Sequence, residues 1–376
     1  MIKWIKNFEK KNPTIFILFI CLIIFVVINK ISKNFLEQTK IEKRELPNFI
    51  ELVYGKENVD DYKKVLQEQG TTLNYKPFVE FGENERTGEF TIVGKKGNRC
   101  NFNDINRCEH PTGGKKEIWI FGGSTTFGYG LKNNETISAH LQKILENEFK
   151  VINFGSAYYY SSQERILLNN LLTKLDAPYA VVFIDGYNDF YKDYNYDETS
   201  YTQSIKKKLN KSSSDDLRDY FKERIQRLNI VRLLQQIFFD NDKDKSLRNS
   251  NINDNLSIEI KDVKKGINIL MNNQKIIRGI SKIYDIKLLQ ILQPVPIYED
   301  SYDTSNIPDE YYVNKVTDLN TKKFKLSYKL YKEIKPKEVL DLSKLKIDAP
   351  MYIDGAHYSS EFSLEIAKKI KENLFK

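Results

Sequence analysis

Five short apolar runs alternate with longer amphipathic segments across the C-terminal two thirds of the chain. The runs occupy residues 117–121, 151–154, 179–184, 287–293 and 338–342. Each run has the length of a strand, and the third is apolar throughout, as in a strand that is covered on both faces. Between the runs, apolar residues recur every three or four positions, which predicts helices. The alternation predicts an α/β fold, a three-layer α/β/α sandwich around a mostly parallel five-stranded sheet with right-handed crossovers.

The N-terminus carries a different pattern. Residues 14–28 are almost entirely apolar, and no charged residue occurs between Lys11 and Lys30. That length is about what a helix needs to cross a bilayer. Because no small-x-small cleavage site follows the run, an uncleaved transmembrane signal anchor over residues 1–30 is favoured over a cleavable signal peptide. Lysines precede the run, so the N-terminus is predicted to be cytoplasmic and the rest of the chain extracytoplasmic.

The remaining sequence divides into two predicted regions. Residues 31–115 begin with a polar, charged stretch and continue with aromatic and β-branched residues broken by glycines. This pattern predicts a stalk followed by an accessory region. Residues 116–376 contain the alternation of strands and helices and form the predicted main domain. Residues at about 190–260 are rich in Lys, Asp, Asn and Ser and interrupt the alternation, which predicts an inserted cap or loop.

Charge and cysteine content narrow the classes of partner and compartment. The formal net charge is +8, but basic and acidic residues are interspersed along the whole chain. No basic stripe interleaved with aromatic residues stands out, so no nucleic-acid partner is expected. Cys100 and Cys108 flank a short polar segment. In an exported protein they would form a local disulfide, whereas in a reducing compartment they would be two unrelated thiols. Cys21 lies within the apolar N-terminal run.

Ser124 is the candidate nucleophile. It follows the first apolar run of the main domain, directly after Gly122 and Gly123. The two glycines are expected to free the backbone for a sharp turn. Open α/β sheets keep their chemistry at the carboxyl ends of parallel strands, which is where this serine is predicted to lie. A serine becomes a nucleophile only when a base accepts its proton.

One of the three histidines is placed to be that base. His110 lies before the first core strand, and His140 lies within the first predicted helix, where a packing or surface role is expected. His357 follows the last strand in a loop, three residues after Asp354. An aspartate at this spacing can fix the tautomer of the imidazole and stabilise its charged form. Ser124, Asp354 and His357 are therefore the predicted catalytic residues.

Acyl transfer also needs hydrogen-bond donors for the developing oxyanion. Three candidates follow predicted strands: the backbone N–H of Ser124, the backbone N–H of Gly155 and the side-chain amide of Asn188. For Gly155 and Asn188, ordinary turn chemistry is the alternative interpretation. Since all three follow consecutive parallel strands, one crevice could collect them.

These residues belong to four short motifs that resemble a known family. The motifs are Gly122-Gly-Ser-Thr125, Gly155, Gly186-Tyr-Asn-Asp189 and Asp354-Gly-Ala-His357. Their order resembles the four blocks of the SGNH, or GDSL-type, serine hydrolases, over roughly residues 117–376. The resemblance implies a flavodoxin-like sheet, with Ser124 as nucleophile and His357 as general base oriented by Asp354. It also implies an oxyanion hole formed by Ser124, Gly155 and Asn188.

The resemblance assigns supporting roles to three more residues. Asp189 is expected to brace the loop of Asn188 without taking part in the chemistry, and Gly186 belongs to the same motif. Gly123 stands where the family usually has an aspartate, and the glycine is expected to preserve the turn and loosen it. Residues 75–81 and 97–99 resemble the leader of membrane-anchored relatives, some of which act on extracytoplasmic polysaccharides.

The sequence as a whole predicts a serine esterase that hydrolyses O-acyl, above all O-acetyl, esters on a cell-envelope or extracellular polysaccharide. Two alternatives stay open: an O-acetyltransferase that uses the same triad, and a catalytically silent glycan-binding envelope protein. No cofactor and no metal are expected. The expected partners are an ester-bearing glycan and, through the N-terminal helix, a membrane; no protein partner is identified. The predicted location is a single-pass membrane protein with its catalytic domain on the periplasmic or extracellular side.

Overall fold

The computed structural model describes most of the chain outside a few segments. The described residues are 13–42, 50–70, 73–108, 110–146, 148–191, 228, 260–296, 318–354 and 356–376. The chain divides into two compact units, one of residues 1–46 with 200–256 and one of residues 47–199 with 257–376. Apart from a few residues, the insertion predicted at about 190–260 lies outside the described residues.

The first unit is described mainly by one helix, α1 (Pro13–Glu42). Its apolar run ends at Ile28, and the rest of the helix carries several charged residues. Among the described helices, none has both the length and the apolar composition needed to cross a membrane.

The second unit is built on a five-stranded parallel sheet. Its strands are β5 (Glu117–Gly122), β6 (Lys150–Asn153), β7 (Ala180–Asp185), β8 (Lys287–Leu292) and β9 (Val339–Asp341). Their order across the sheet is β6-β5-β7-β8-β9, and each neighbouring pair is parallel. The predicted parallel five-stranded sheet is confirmed, and each strand ends within two residues of its predicted position.

Helices cover both faces of this sheet. Within the described residues of this unit they are α2 (Ile50–Tyr54), α3 (Val59–Glu68), α4 (Ser124–Phe127), α5 (Ile137–Leu145), α6 (Ser161–Leu172), α7 (Tyr187–Tyr191), α8 (Ile260–Ile283), α9 (Asp318–Ile334) and α10 (Ser360–Leu374). Helices α5 and α10 pack on the face to which Ile118 and Ile120 point. Helices α6 and α8 pack on the other face, against Trp119 and Phe121. The sheet is thus the middle of three layers, as predicted.

The predicted accessory region packs directly on this domain. It contains the antiparallel hairpin β1 (Leu73–Lys76) and β2 (Glu80–Glu83), and the short pair β3 (Arg86–Thr87) and β4 (Ile92–Val93). Backbone bridges join Arg99 to β4 on one side and to Asn153 of β6 on the other. The described residues of the accessory region from Ile50 onward belong to the same compact unit as the main domain, and Arg99 bridges the edge strand β6.

Arg99 is the buried anchor of that contact. Its side chain is 1% exposed. The guanidinium donates to the carbonyl oxygens of Phe127 (3.0 Å), Gly128 (2.6 Å) and Leu131, and it lies over the Phe127 ring. The first of these carbonyls belongs to the last residue of α4 and the other two follow it, where the C=O groups have no partner within the helix. Burial, followed by the charge of Arg86, lowers the pKa of Arg99 to about 9. Arg99 thus fixes the segment that follows Ser124.

A disulfide lies within the same region. The structure pairs Cys100 with Cys108, and both side chains are buried with Ile92. The bond closes the loop that contains a short 3₁₀ turn at Ile105–Arg107. Disulfides of this kind persist in oxidising compartments outside the cytoplasm.

Three carboxyl groups are buried together at the carboxyl end of β7. Glu164, Asp185 and Asp189 are each at most 2% exposed. In the described part of the chain, no donor group serves the carboxylate of Asp185. The carboxyl groups of Glu164 and Asp189 are its charged neighbours, and like charges buried together disfavour ionisation, so a proton held on Glu164 or Asp185 is favoured. Burial raises the pKa of both groups, and the charge of Asp185 raises the pKa of Glu164 further.

Glu164→Gln should therefore change how stability depends on pH. An acid whose pKa is raised by folding stabilises the protein below its unfolded pKa, and this contribution is lost as the pH rises towards the folded pKa. The amide of the variant donates without a bound proton. As the pH rises above the unfolded pKa of a glutamate, the unfolding free energy of the variant should fall less steeply with pH than that of the wild type, by up to about 1.4 kcal/mol per pH unit. Urea unfolding measures the slope.

The exposed residue Glu361 provides the matched control. Glu361→Gln removes a carboxylate of the same kind without touching the buried group, so its slope should equal that of the wild type. A Glu164→Gln slope equal to that of the wild type would contradict the shared proton.

Candidate active site

The site lies where the strand order of the sheet reverses. After β5 the chain leads to β6 on one side, whereas after β7 it leads to β8 on the other. The loops at the carboxyl ends of β5 and β7 therefore diverge and leave a crevice between them, which is the usual position of sites in such sheets. Ser124 begins α4 directly beyond β5, and Asn188 lies in α7 directly beyond β7.

The three predicted catalytic residues meet in this crevice. Nε2 of His357 lies 2.9 Å from Oγ of Ser124, and Nδ1 of His357 lies 2.7 Å from Oδ2 of Asp354. When Nδ1 carries the proton and donates to the carboxylate, Nε2 is the acceptor for the serine hydroxyl. Tyr129 packs against the imidazole, with ring centroids 4.7 Å apart. The arrangement can activate Ser124 as a nucleophile.

A closed loop holds Asp354 and His357 in this geometry. The N–H of Ile353 donates to the carbonyl of His357 (2.9 Å), which brings the two ends of the loop together. Oδ1 of Asp354 accepts the N–H groups of Ala356 and His357, both at 2.8 Å. Burial raises the pKa of Asp354, but the charge of His357 and these hydrogen bonds outweigh it, and the pKa is about 2. The carboxylate is therefore ionised at neutral pH and can stabilise a charged imidazole.

The predicted donor Asn188 lies next to the nucleophile. One amide N–H of Asn188 donates to the carbonyl of Tyr159 at 2.6 Å. A side-chain amide carries two N–H groups, so this bond fixes the amide and leaves the second N–H for an oxyanion. The amide nitrogen also lies only 2.4 Å from where a Cβ of Gly123 would be. The backbone N–H of Ser124 is in the first turn of α4 and has no acceptor within that helix.

Gly155 differs from the prediction. Its N–H donates to Oδ1 of Asn153 at 2.8 Å, so this donor is already engaged within the protein. A Cβ at Gly155 would lie 2.3 Å from the backbone nitrogen of Phe127. The glycine is thus required because the helix that begins at Ser124 packs backbone to backbone against this position. We assign it a packing role instead of a donor role.

Gly123 also has a role other than the predicted one. Its φ of −79° and ψ of −155° are accessible to any residue, so the turn does not depend on the freedom of a glycine. Instead, the missing side chain leaves the space that the amide of Asn188 fills. Gly122 is constrained in the same way, because a Cβ there would lie 2.1 Å from Oγ1 of Thr126. The sequence predicts that Gly123 loosens the turn, whereas in the structure Gly123 allows the amide of Asn188 to pack closely against the turn.

The two other residues of the third motif support Asn188. Oδ1 of Asp189 accepts from the hydroxyl (2.5 Å) and the N–H (3.2 Å) of Ser161, which begins α6 two residues after Tyr159. Asp189 therefore holds the loop on which the Asn188 amide is anchored, as the resemblance implies. Gly186 has a φ of +132°, a conformation that favours glycine, and a Cβ there would lie 2.9 Å from the hydroxyl of Tyr328.

The other two histidines lie elsewhere. Nε2 of His140 is 3.1 Å from the hydroxyl of Ser360, between α5 and α10, and burial lowers the pKa of His140 to about 4. The carbonyl of His110 accepts from Lys150. Within the described residues, no group of three or more His, Cys, Asp or Glu side chains could hold a metal ion.

Gln293 is a residue that the sequence interpretation missed. It follows β8, is 3% exposed, and its amide N–H groups lie 3.1 Å from the hydroxyl of Tyr358 and 3.4 Å from that of Thr125. Its carbonyl accepts the N–H of Tyr187 at 3.3 Å. These three partners are the sequence neighbours of the base, the nucleophile and the amide donor. The signal in the sequence is a glutamine that ends an apolar run, immediately before Pro294.

Comparisons with known proteins do not identify a family for the chain. No protein-family model matches it, and no curated protein matches it.

Several solved structures are similar in fold. An acetyl xylan esterase, AlAXEase, shares 12% identity over 69% of this chain and 100% of its own, with a TM-score of 0.36. A GDSL-like lipase from Bacteroides thetaiotaomicron shares 11% over 69% and 87%, with a TM-score of 0.35. A carbohydrate acetylesterase family member from Sinorhizobium meliloti shares 12% over 69% and 96%, with a TM-score of 0.35. At such low identities and TM-scores these similarities carry no argument about chemistry.

Gln293→Met tests whether this glutamine positions the site. The substitution keeps the size of the side chain and removes its hydrogen bonds, so the turn of Ser124 and the loop of His357 lose a shared partner. We expect Ser124 to react with a fluorophosphonate probe at least about tenfold more slowly. The matched control is Gln142→Met on α5, another buried glutamine, which bonds to Phe149. An equal loss of rate in both variants would contradict a positioning role.

Gly123→Ala tests the contact with Asn188. The new methyl group would overlap the amide nitrogen and displace it, so the oxyanion loses one donor. We expect phosphonylation of Ser124 to slow by about 100-fold, as in Asn188→Ala. The double variant should be no slower than either single variant, because both changes remove the same interaction. Gly279→Ala on α8, where no atom lies within 4 Å of the added methyl group, should react like the wild type. Additive losses in the double variant would contradict the contact.

Proposed function

We propose that this protein is a serine esterase that hydrolyses O-acyl, above all O-acetyl, esters through an acyl-enzyme. The observation that carries the proposal is the hydrogen-bonded series Ser124–His357–Asp354, with distances of 2.9 and 2.7 Å. A glycan-binding protein without activity has no need of a histidine that bridges a serine and a carboxylate. The series therefore favours an enzyme over the silent alternative.

The first step acylates the serine. Oγ of Ser124 attacks the ester carbonyl while Nε2 of His357 accepts the hydroxyl proton. The charge that forms on the imidazole is stabilised by the ionised carboxylate of Asp354. The oxyanion accepts hydrogen bonds from the N–H of Ser124 and from the amide of Asn188. The protonated His357 then gives its proton to the departing alcohol oxygen.

The second step releases the acyl group. Water takes the position of the departed alcohol and gives a proton to His357 as it attacks the acyl carbonyl. The tetrahedral intermediate collapses, the carboxylic acid leaves, and Ser124 regains its proton. A sugar hydroxyl in place of the water would make the same site an acetyltransferase.

We propose a polysaccharide outside the cytoplasm as the carrier of the ester. The disulfide Cys100–Cys108 supports an oxidising compartment. The choice of a glycan and of an acetyl group rests on the resemblance of the sequence motifs to the SGNH hydrolases.

Hydrolysis of 4-nitrophenyl acetate tests the activity. Ser124→Ala and His357→Ala should each lower kcat by about 10⁴-fold or more, because the triad acts as a unit. The exposed residue His110 is the matched control for the histidine, and His110→Ala should keep the rate of the wild type. Turnover that does not depend on Ser124 would contradict the proposal.

The same assay separates hydrolysis from transfer. Free acetate should account for all the 4-nitrophenol released, with and without an added oligosaccharide. Faster release in the presence of oligosaccharide, together with acetylated sugar as a product, would replace the esterase by the acetyltransferase.

A further inference from the structure

Two aromatic side chains are more exposed than any others in the described part of the chain. Phe78 is 82% exposed and Tyr158 is 65% exposed. Large apolar side chains are usually buried, and most aromatic residues of this unit follow that rule. Phe78 lies in the turn between β1 and β2, and Tyr158 lies in the loop that leads from Gly155 to α6. We call these two residues the aromatic rim.

Both residues of the aromatic rim have a strained backbone. The φ angle is +68° at Phe78 and +65° at Tyr158, in the left-handed region that bulky residues rarely adopt. Glycine or asparagine would be the ordinary choice at such positions. Strain of this kind persists only where the surrounding structure fixes it, and it concentrates at functional sites.

A small packed cluster joins the two segments. Val79, Phe81 and Tyr159 are buried against one another, directly beside the exposed rings in sequence. The hydroxyl of Tyr159 donates to the carbonyl of Phe81 at 2.6 Å. The amide of Gln163 donates to the carbonyl of Val79 at 3.4 Å. The turn of Phe78 and the loop of Tyr158 are therefore two parts of one rigid surface.

This surface adjoins the reacting groups. The carbonyl of Tyr159 accepts the amide of Asn188, and it lies 3.1 Å from where a Cβ of Gly123 would be. Tyr158 is thus one residue away from a contact with the turn of the nucleophile. Through Tyr159, the loop that carries Tyr158 therefore touches the oxyanion donor Asn188 and the turn of Ser124.

We propose that Phe78 and Tyr158 form a carbohydrate-binding subsite that stacks on the pyranose rings carrying the ester; this inference rests on the proposed esterase function. A pyranose ring has an apolar C–H face, which an aromatic face with its negative quadrupole attracts, and a polar rim of hydroxyl groups. Polar residues also flank the ring of Phe78 in the sequence, since Lys76 and Glu80 lie two residues to either side of it. A long acyl chain would require a continuous apolar channel instead of isolated rings among polar residues.

Glycine substitutions provide a test that does not depend on destabilisation. Phe78→Gly and Tyr158→Gly remove the rings and also relieve the strained backbone, so neither variant should unfold at lower urea concentration than the wild type. The substrates are a partially O-acetylated cello-oligosaccharide and 4-nitrophenyl acetate. In the double variant, we expect KM for the oligosaccharide to rise about tenfold relative to KM for 4-nitrophenyl acetate. Phe78→Tyr with Tyr158→Phe should restore the ratio of the wild type.

The matched control is Tyr284→Ala. Tyr284 is 45% exposed and lies just before β8, at the amino end of the strands and so at the opposite edge of the sheet from the site. This variant should keep both KM values. Failure of the wild type to cleave 4-nitrophenyl acetate would contradict the esterase function and, with it, the proposed subsite at the aromatic rim.

Three other results would contradict the proposed carbohydrate subsite alone and leave the esterase function standing. One is a wild-type enzyme that cleaves 4-nitrophenyl acetate but not the oligosaccharide. Another is a double variant whose two KM values keep their ratio. The third is a double variant whose loss grows with acyl-chain length, from 4-nitrophenyl acetate to the octanoate, which would assign the rings to the acyl group.

Discussion

The site depends on close packing around the turn that carries Ser124, at positions where a side chain would not fit. Side chains are absent at three positions in contact with this turn. A Cβ at Gly122 would meet Thr126, a Cβ at Gly123 would meet the amide of Asn188, and a Cβ at Gly155 would meet the backbone of Phe127. Close packing of this kind leaves the nucleophile little freedom to move, because interiors at native density transmit any added volume as strain. Close packing around Gly122, Gly123 and Gly155 thus restricts the position of Ser124 independently of its hydrogen bonds.

Polar contacts then orient what the packing confines. Asn188 can donate towards the nucleophile because its other N–H is fixed on Tyr159, and the loop of Tyr159 is held in turn by Asp189 through Ser161. These bonds link the amide of Asn188 to the start of α6, so the loop and the donor are fixed together. The base is fixed independently, by the closed loop of Asp354. Two separately stabilised parts thus converge on one serine, which is the condition for a preorganised site.

Much of this could be predicted from the sequence, and the failures have a common cause. Apolar runs indicate buried strands whatever their partners, so the sheet was predictable, and the spacing from Asp354 to His357 is local enough to imply their contact. The packing role of Gly155 depends on which backbone lies across from it, and that of Gln293 depends on three loops that meet only in the fold.

The accessory region before β5 contacts segments that lie next to the catalytic residues. Arg99 donates hydrogen bonds to carbonyl groups at the end of the helix that begins at Ser124. Hydrogen bonds from Tyr159 and Gln163 hold the hairpin that carries Phe78 against the loop of Tyr158. A buried guanidinium whose hydrogen bonds run to carbonyl oxygens costs desolvation, which its lowered pKa records. The hydrogen bonds from Arg99 to the carbonyl groups of Phe127, Gly128 and Leu131 offset part of this cost and fix the segment that follows Ser124. The residues before β5 therefore contact both the segment that follows Ser124 and the loop of Tyr159, whose carbonyl holds the Asn188 amide.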